Sequence, residues 1–368
     1  MVKQANNCTV VDVFCGAGGL THGFVLEGFH VAAGIDADPA CKYPFEKNNP
    51  NARFVQARVE DLDPVDVLQF YPEGHVKILV GCAPCQPFSS YTRKAGEHED
   101  WDLLYVFADL IKTTRPDIVA MENVPRLSTY KSGRVYRDFC EALEHSGYEV
   151  SSYPRVYAPD YGVPQRRTRL ILFASRWGRV ELLRKSHIPR RYRTVREAIG
   201  DLPPIEAGET HPDDPLHRAS RLSELNLRRI RASVPGGTWL DWDDALRATC
   251  HTKRNGRWYK SVYGRMTWDE PSPTITTQCY GFGNGRFGHP EQDRAISLRE
   301  AALLQTFPKD YEFFDPTVNY HISTVGRLIG NAVPIALARV IAKSIRLHIR
   351  KHTVHAEIAK DVLPAGLE

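Results

Sequence analysis

The chain has 368 residues, 42% of them hydrophobic and 25% charged, with a formal net charge of +4. That is an ordinary globular composition, long enough for one large domain with its own core and a smaller one beside it. No apolar run reaches membrane-spanning length, and the eight cysteines are scattered without a disulfide framework, so free thiols are expected. The opening "MVKQANNCTVVDVF" lacks a signal-peptide core, so the expected location is the cytoplasm, or a nucleus if the source has one.

The first half alternates between strand and helix patterns. "CTVVDVF" (8–14) is a short, β-branched run of the kind buried on both faces of a sheet. A glycine-rich turn and a helical stretch to Phe29 follow, then "VAAGID" (31–36) as a second strand. "VKILVG" (76–81) and "DIVAMENV" (117–124) read the same way. Between them Leu103, Val106, Phe107, Leu110 and Ile111 fall on one helical face. "RVYRDFCEALEHSG" is a further amphipathic helix, closed by Gly147. "YEVSSYPRVYA" and "RRTRLILFAS" read as strands, the latter hairpinned. This alternation predicts an α/β fold with a doubly wound, mostly parallel sheet.

The pattern changes near residue 200. Thr194 and Glu197 stand in capping-box register at the start of "TVREAIGDLPPI", which stops at Pro203 and Pro204. Residues 206–290 are rich in Gly, Pro, His and Trp with little periodicity, and read as a separate, smaller, loop-rich unit. Ser297 and Glu300 form a second capping box, opening the helix "LREAALLQTF". "NAVPIALARVIAKSIRLHI" is a strong helix with Pro334 expected in its first turn.

Charge is unevenly spread. "RKSHIPRRYRTVR" (184–196) gathers Arg184, Lys185, Arg190, Arg191, Arg193 and Arg196, and "LRRIRAS" and "HTKRNGRWYK" repeat the bias. Interleaved aromatics such as Tyr192, Trp258 and Tyr259 suit a polyanion with stackable bases, although a solvated basic face would look the same.

Four motifs carry chemistry. "DVFCGAGGL" (12–20) is a strand running into a turn where Gly16, Gly18 and Gly19 let backbone approach a ligand at a helix N-terminus. The spacing is not G-x-G-x-x-G, and a tight turn alone would also want glycines. Asp36, ending the second strand, is placed to hold ribose hydroxyls, which together with the glycines favours an adenosyl cofactor. "ENV" puts Glu122 and Asn123 at the C-terminal end of a buried strand, where either a catalytic or a satisfied structural acid belongs. In "QRRTRL" (165–170), Arg167 and Arg169 fall on one side of a strand, as an anionic ligand or an ordinary exposed edge would have them. In "VGCAPCQPFSSYTRK" (80–94), Cys82 and Cys85 form a C-x-x-C. No second close Cys/His pair completes a zinc site, so no metal is expected, and Pro87 with a polar loop replaces the helix of a thioredoxin-like pair. A single nucleophile is the leading functional reading, with a buried inert thiol as the alternative.

"DVFCGAGG", "GCAPCQPFS", "ENV", "QRRTRL", "SLREAALLQTFP" and "GNAVP" occur in an order and at spacings that resemble the DNA (cytosine-5) methyltransferase family, over nearly the whole chain except roughly 206–262. The resemblance implies that Cys85 is the nucleophile adding to carbon 6 of cytosine, and that Cys82 is a small packed bystander. It implies that Glu122 holds ring nitrogen 3 and the exocyclic amine, that Asn123 fixes this loop, and that Arg167 and Arg169 orient the base. Phe14, Gly16, Gly18, Gly19 and Leu20 would wrap S-adenosyl-L-methionine, with Asp36 on its ribose and Asn331 and Val333 completing the pocket. Gln86 and Ser89 would contact double-stranded DNA from a loop, 86–100, that closes over a flipped base. The cofactor motifs are split, so the large catalytic domain would comprise 1–200 plus 322–368, with the target-recognition domain at 201–321 between them.

Two positions depart from the family. Ala57 stands where an Asp usually binds the adenine amine, with Asp61 as a possible substitute, and residue 37 is Ala in place of a larger side chain. Two other readings remain. A transfer-RNA methylating member would carry a Cys-Phe-Thr element where this chain has "QCYGFGNGRFG". A catalytically silent DNA-binding member has Ala57 in its favour, and Cys85, Glu122 and Arg167 against it. The compact chain is expected to be a bacterial monomer at the nucleoid, paired or not with a restriction endonuclease for the same site.

Overall fold

The computed structural model describes residues 7–83, 102–253 and 259–362. Five strands, β1 (Cys8–Val13), β2 (His30–Asp36), β3 (Arg53–Gln56), β4 (Val76–Gly81) and β5 (Ile118–Asn123), run parallel. β6 (Glu149–Tyr157) and β7 (Thr168–Ser175) complete one seven-stranded sheet in the order β3-β2-β1-β4-β5-β7-β6, with β7 antiparallel to both its neighbours. The chain winds outward from β1 to β3, returns, and winds the other way from β4. The crevice between β1 and β4 is therefore the topological switch point, where ligands sit in open α/β sheets.

β1, β4 and β5 are buried on both faces, and side chains alternate between two cores. Val10, Ile78 and Ile118 point to one, which is covered by helices α1 (Gly19–Leu26) and α11 (Ile335–Val362). Val11, Leu79 and Val119 point to the other, beneath α4 (Asp102–Thr114) and α5 (Arg134–His145). Shorter helices α2 (Lys42–Asn48) and α3 (Pro64–Leu68) join the strands on the β3 side. α5 ends as its sequence foretold, with Gly147 in the left-handed region (φ 87°).

α6 (Val195–Ile199) and α9 (Leu298–Leu304) open on the two capping boxes read from the sequence, both fully formed. The loop-rich stretch between them holds more structure than its sequence advertises. It contains a small hairpin, β8 (Thr210–His211) with β9 (Asp214–Arg218), and helices α7 (Glu224–Ala232) and α8 (Thr249–Thr252). Ile230, Trp239, Trp242, Leu246, Phe282 and Ala295 make a separate core there. Residues 298–313, assigned above to the smaller unit, instead join the large core: Leu298, Phe307 and Tyr311 pack with Leu20, Phe24 and Phe45, and the Tyr311 hydroxyl donates to the Ala17 carbonyl (2.6 Å).

The final helical pattern forms one helix, α11, and a helix that the sequence did not mark, α10 (Ile322–Asn331), precedes it. α10 ends where "NAVP" begins, and α11 starts only at Ile335. Pro334 caps the first turn of α11, its carbonyl accepting from Ala338 N (3.0 Å), and its ring disfavours helical conformation at Val333, which keeps α10 and α11 apart. The close approach of α11 to α1 needs Gly23, since a Cβ there would fall 2.3 Å from that of Ala338. Glu27 reinforces the contact through Arg339 (2.6 Å) and Lys343 (3.5 Å).

Candidate functional site

The glycine turn leaves β1 through two residues in the left-handed region, Phe14 (φ 59°) and Gly16 (φ 54°). The Asp36 carboxylate at the end of β2 holds this turn: Oδ2 accepts from Gly16 N (2.8 Å) and Oδ1 from Asp38 N (3.0 Å). A side chain at Gly16 would project into open space, with no protein atom within 4 Å. Gly18 and Gly19 are glycine for a different reason. A Cβ on Gly18 would crowd Asn49 and Tyr311, and one on Gly19 would lie 2.6 Å from the Val333 carbonyl. The expected return of 331–333 to the turn is therefore a direct backbone contact made possible by Gly19. Leu20 faces the core, Val333 is buried and Asn331 is exposed.

Sequence reasoning passed over Asp12. It sits in β1 at 1% exposure, with Oδ2 accepting from the Thr21 hydroxyl (2.7 Å) and Oδ1 buried without a hydrogen-bond partner. Burial raises its carboxyl from 3.8 to about 7, partly offset by Thr21. An acid inside a run of valines was the available signal. The position after β3 is Ala57, whose amide donates to the Asp36 carbonyl (3.1 Å). Asp61, expected as a substitute there, ends the turn Val59–Asp61, where its exposed side chain makes no hydrogen bond or ion pair among the described residues.

Glu122 and Asn123 lie at the tip of β5, one strand from β4. Glu122 Oε1 is 2.9 Å from Arg169 Nε, with the two side chains 7% and 12% exposed. The Cys82 thiol donates to Oε2 (3.5 Å), so Cys82 touches the acid as well as packing beside it. Asn123 Nδ2 donates to the Ala83 carbonyl (3.2 Å), and its Oδ1 accepts from Val124 N (2.8 Å). Asn123 thereby ties the strand tip to the chain entering 84–101. Cys85, Gln86 and Ser89 lie outside the described residues.

Arg167 and Arg169 do not act as the parallel pair the sequence implied. β7 begins only at Thr168, and tight turns at Val163–Gln165 and Gln165–Arg167 break the pleat before it. Arg169 turns to Glu122, whereas buried Arg167 donates to the carbonyls of Ile275 (3.1 Å), Gly330 (3.4 Å) and Ala332 (3.3 Å). It brackets two distant segments behind the site, around 275 and 330–332. Gln165, also missed from the sequence, does likewise: its Nε2 donates to Leu304 and Gln305, and its Oε1 accepts from Ile275 N (3.0 Å).

The family model for C-5 cytosine-specific DNA methylases matches residues 8–347. The chain is 56% identical over 337 residues to the Type II methylase M.HgiDII of Herpetosiphon aurantiacus, covering 92% of this chain and 94% of that protein. It is 31% identical to the Type II methyltransferase M1.HphI of Haemophilus parahaemolyticus, over 92% of this chain and 86% of that one. In fold it is similar to a putative DNA modification methyltransferase encoded within an E. coli prophage (TM-score 0.70, 22% identity, 92% and 98% of the two chains). It is also similar in fold to Spodoptera frugiperda DNMT2 (TM-score 0.62, 14% identity, 92% and 99%). The sheet is that of the S-adenosylmethionine-dependent methyltransferase fold. With the motifs in order across almost its whole length, this chain belongs to the C-5 cytosine-specific DNA methylase family and is a DNA (cytosine-5) methyltransferase.

Proposed function

We propose that the chain methylates carbon 5 of one cytosine within a short duplex sequence, using S-adenosylmethionine and a transient bond from Cys85 to carbon 6. The observation that carries the site assignment is Glu122, a buried carboxylate at the catalytic end of the sheet held between Arg169 and Cys82.

Carbon 5 of cytosine is too poor a nucleophile to be methylated directly. Addition of the Cys85 thiolate to carbon 6 moves an electron pair to carbon 5, splitting one hard step into easier ones. Glu122 faces ring nitrogen 3 and the exocyclic amine, sharing a proton there so that the ring does not accumulate negative charge as the thiolate adds. Arg169 keeps that carboxylate aimed and stabilises the covalent adduct, Asn123 fixes the start of the loop that carries Cys85, and Arg167 holds the surrounding backbone. Carbon 5 then takes the methyl group, its proton leaves, and expulsion of the thiolate restores the ring.

The residues around the β1 turn fit the cofactor. Gly16 opens onto free space, Asp12 has a buried oxygen without a donor, and the α1 N-terminus points there. Phe14, Gly16, Gly18, Gly19 and Leu20 would provide the wrapping backbone, Asp36 the ribose contact, and Asn331 and Val333 the closing wall. Asp61 reaches the adenine only if its turn shifts. S-adenosylmethionine supplies an electrophilic methyl on a sulfonium when bound.

Duplex DNA would lie between the large body and the unit around residues 230–295, with Gln86 and Ser89 touching it from the catalytic loop. A monomer at the bacterial nucleoid, working beside an endonuclease for the same sequence, is the setting that fits this reading. The test is transfer of labelled methyl to mixed-sequence duplex DNA and to bulk transfer RNA, with Cys85→Ala alongside. Label in DNA that disappears with Cys85→Ala is expected, and bisulfite sequencing then gives the target. Label confined to RNA would overturn the substrate assignment.

A further inference from the structure

Ten residues, "RKSHIPRRYR" (184–193), carry five cations and no carboxylate. The whole chain has a net charge of +4, so the remainder is close to neutral. This strap is the densest ten-residue run of positive charge in the sequence, and the catalytic chemistry makes no use of it.

Its course is fixed by β6. After β7 the chain returns alongside that edge strand: Val180 N donates to the Ser151 hydroxyl (3.1 Å) and Leu182 N to the Tyr153 hydroxyl (3.0 Å). β6 runs toward Tyr157, which lies opposite Thr168, so the strap arrives at the same end of the sheet as Arg169 and Glu122. β6 is two strands from β5, so the edge strand that the chain follows into the strap is roughly 10 Å from the strand of Glu122. A duplex that delivers a base to Glu122 passes over this end of the sheet.

Asp160 clamps the strap. It is 5% exposed, and its carbonyl accepts from Ser186 N (2.9 Å) and His187 N (3.0 Å). Its Oδ1 accepts from the Tyr192 hydroxyl (2.6 Å), and its Oδ2 is 2.8 Å from Lys185 Nζ. Beyond it, Val195 N and Arg196 N donate to the carbonyls of Glu270 and Trp268 in the smaller unit. The backbone is held, while the side chains of Arg184, Arg190, Arg191 and Arg193 are exposed and make no ion pair or hydrogen bond among the described residues. Four guanidinium groups on a fixed strap repel one another, and an opposing polyanion relieves that repulsion. Arginine also meets a phosphate with two parallel N–H donors, which lysine cannot.

The geometry points to a second DNA-contact surface: residues 184–193 grip the phosphates of the duplex flanking the target cytosine, without reading its sequence. This rests on the DNA reading above and extends it to a surface outside the catalytic cleft.

The test compares wild type with a variant carrying Arg184→Gln, Arg190→Gln, Arg191→Gln and Arg193→Gln. A control variant changes four exposed cations at the opposite end of the sheet, Lys112→Gln, Arg115→Gln, Arg176→Gln and Arg179→Gln, and so has the same net charge. Binding of a mixed-sequence duplex of about three helical turns is followed by fluorescence anisotropy across a salt series. If each strap arginine neutralises one phosphate, the slope of log K against log salt becomes shallower by about 3–4, while the control keeps the wild-type slope. At low salt and saturating DNA the strap variant should retain wild-type kcat for methyl transfer. A slope change below about 2, or one matched by the control, overturns the proposal. Wild-type protein that binds duplex but never methylates it would sink the proposed function and leave the strap to be judged by its slope.

Discussion

Glu122 is held by one cation and one thiol, and its removal separates chemistry from folding. Glu122→Gln keeps the shape of the side chain and an acceptor for Arg169. It is expected to slow methyl transfer by about 10²–10⁴-fold while cofactor binding stays within a few-fold, measured by single-turnover kinetics beside calorimetric titration. Asp12 behaves in the opposite sense. Its carboxyl is raised from 3.8 to about 7 by burial, so the native state prefers the protonated form. The stability this contributes is complete below pH 3.8 and is lost as pH rises through 7. At pH 8 the buried ion opposes folding. Asp12→Asn should therefore raise Tm at pH 8 and change it little at pH 3. A lower Tm at pH 8 would show that the ionised form is satisfied in the native protein.

Among the elements, the two capping boxes make a natural comparison. That of α6 is largely exposed, and Thr194→Ala should cost about 1 kcal/mol in urea denaturation. That of α9 is buried: Ser297 Oγ also lies 2.8 Å from His217 Nδ1, and Glu300 is paired with Arg294 (2.7 Å). Ser297→Ala leaves buried groups without a partner and should cost about 2–3 kcal/mol. Equal losses at the two sites would refute the distinction. α10 was hidden from sequence reasoning by its glycines, which propensity disfavours. Those glycines serve packing. A Cβ on Gly326 would strike Tyr280 at 2.4 Å, and one on Gly330 would strike Thr276 at 2.3 Å. α7 was missed because only a narrow apolar face, with Ile230 at its centre, marks it among charged residues.

For the whole molecule, two buried histidines contribute to the loss of stability in acid. His289, beside Glu300 (3.6 Å) with Arg294, Arg265 and His217 nearby, is lowered from 6.5 to about 4, chiefly by burial. His348, bonded to the Ser175 hydroxyl (2.8 Å) with His352 and Lys351 adjacent, is lowered to about 4 for the same first reason. Both favour the neutral ring in the folded state. Their contribution is complete above pH 6.5 and is lost as pH falls through 4. Tm should fall steadily from pH 6.5 to 4, and His348→Gln should flatten that decline. A variant with the wild-type slope would assign the acid sensitivity elsewhere. His289 sits at the capping box of α9, and His348 lies between α11 and β7.

The local features of this protein were determined by its sequence. The buried strands, the capped helices, the glycine turn and the strand-tip acid each follow from patterning a few residues long, and all stand where the residues put them. So does the family, because six short motifs fall in order. What only the tertiary structure decided are the relations between distant segments. Arg167 and Arg169 share a strand register on paper, yet one pairs with Glu122 and the other brackets backbone more than a hundred residues away. Residues 298–313 look like part of the loop-rich unit, yet they complete the core under the glycine turn. Asp12 reads as an interruption in a strand until one of its carboxylate oxygens is found buried without a hydrogen-bond partner beside the glycine turn. Spacing along a chain specifies the face a side chain takes on its own element. Its partner depends on which other elements are packed there, and that is settled only when the whole sheet and its covering helices close together.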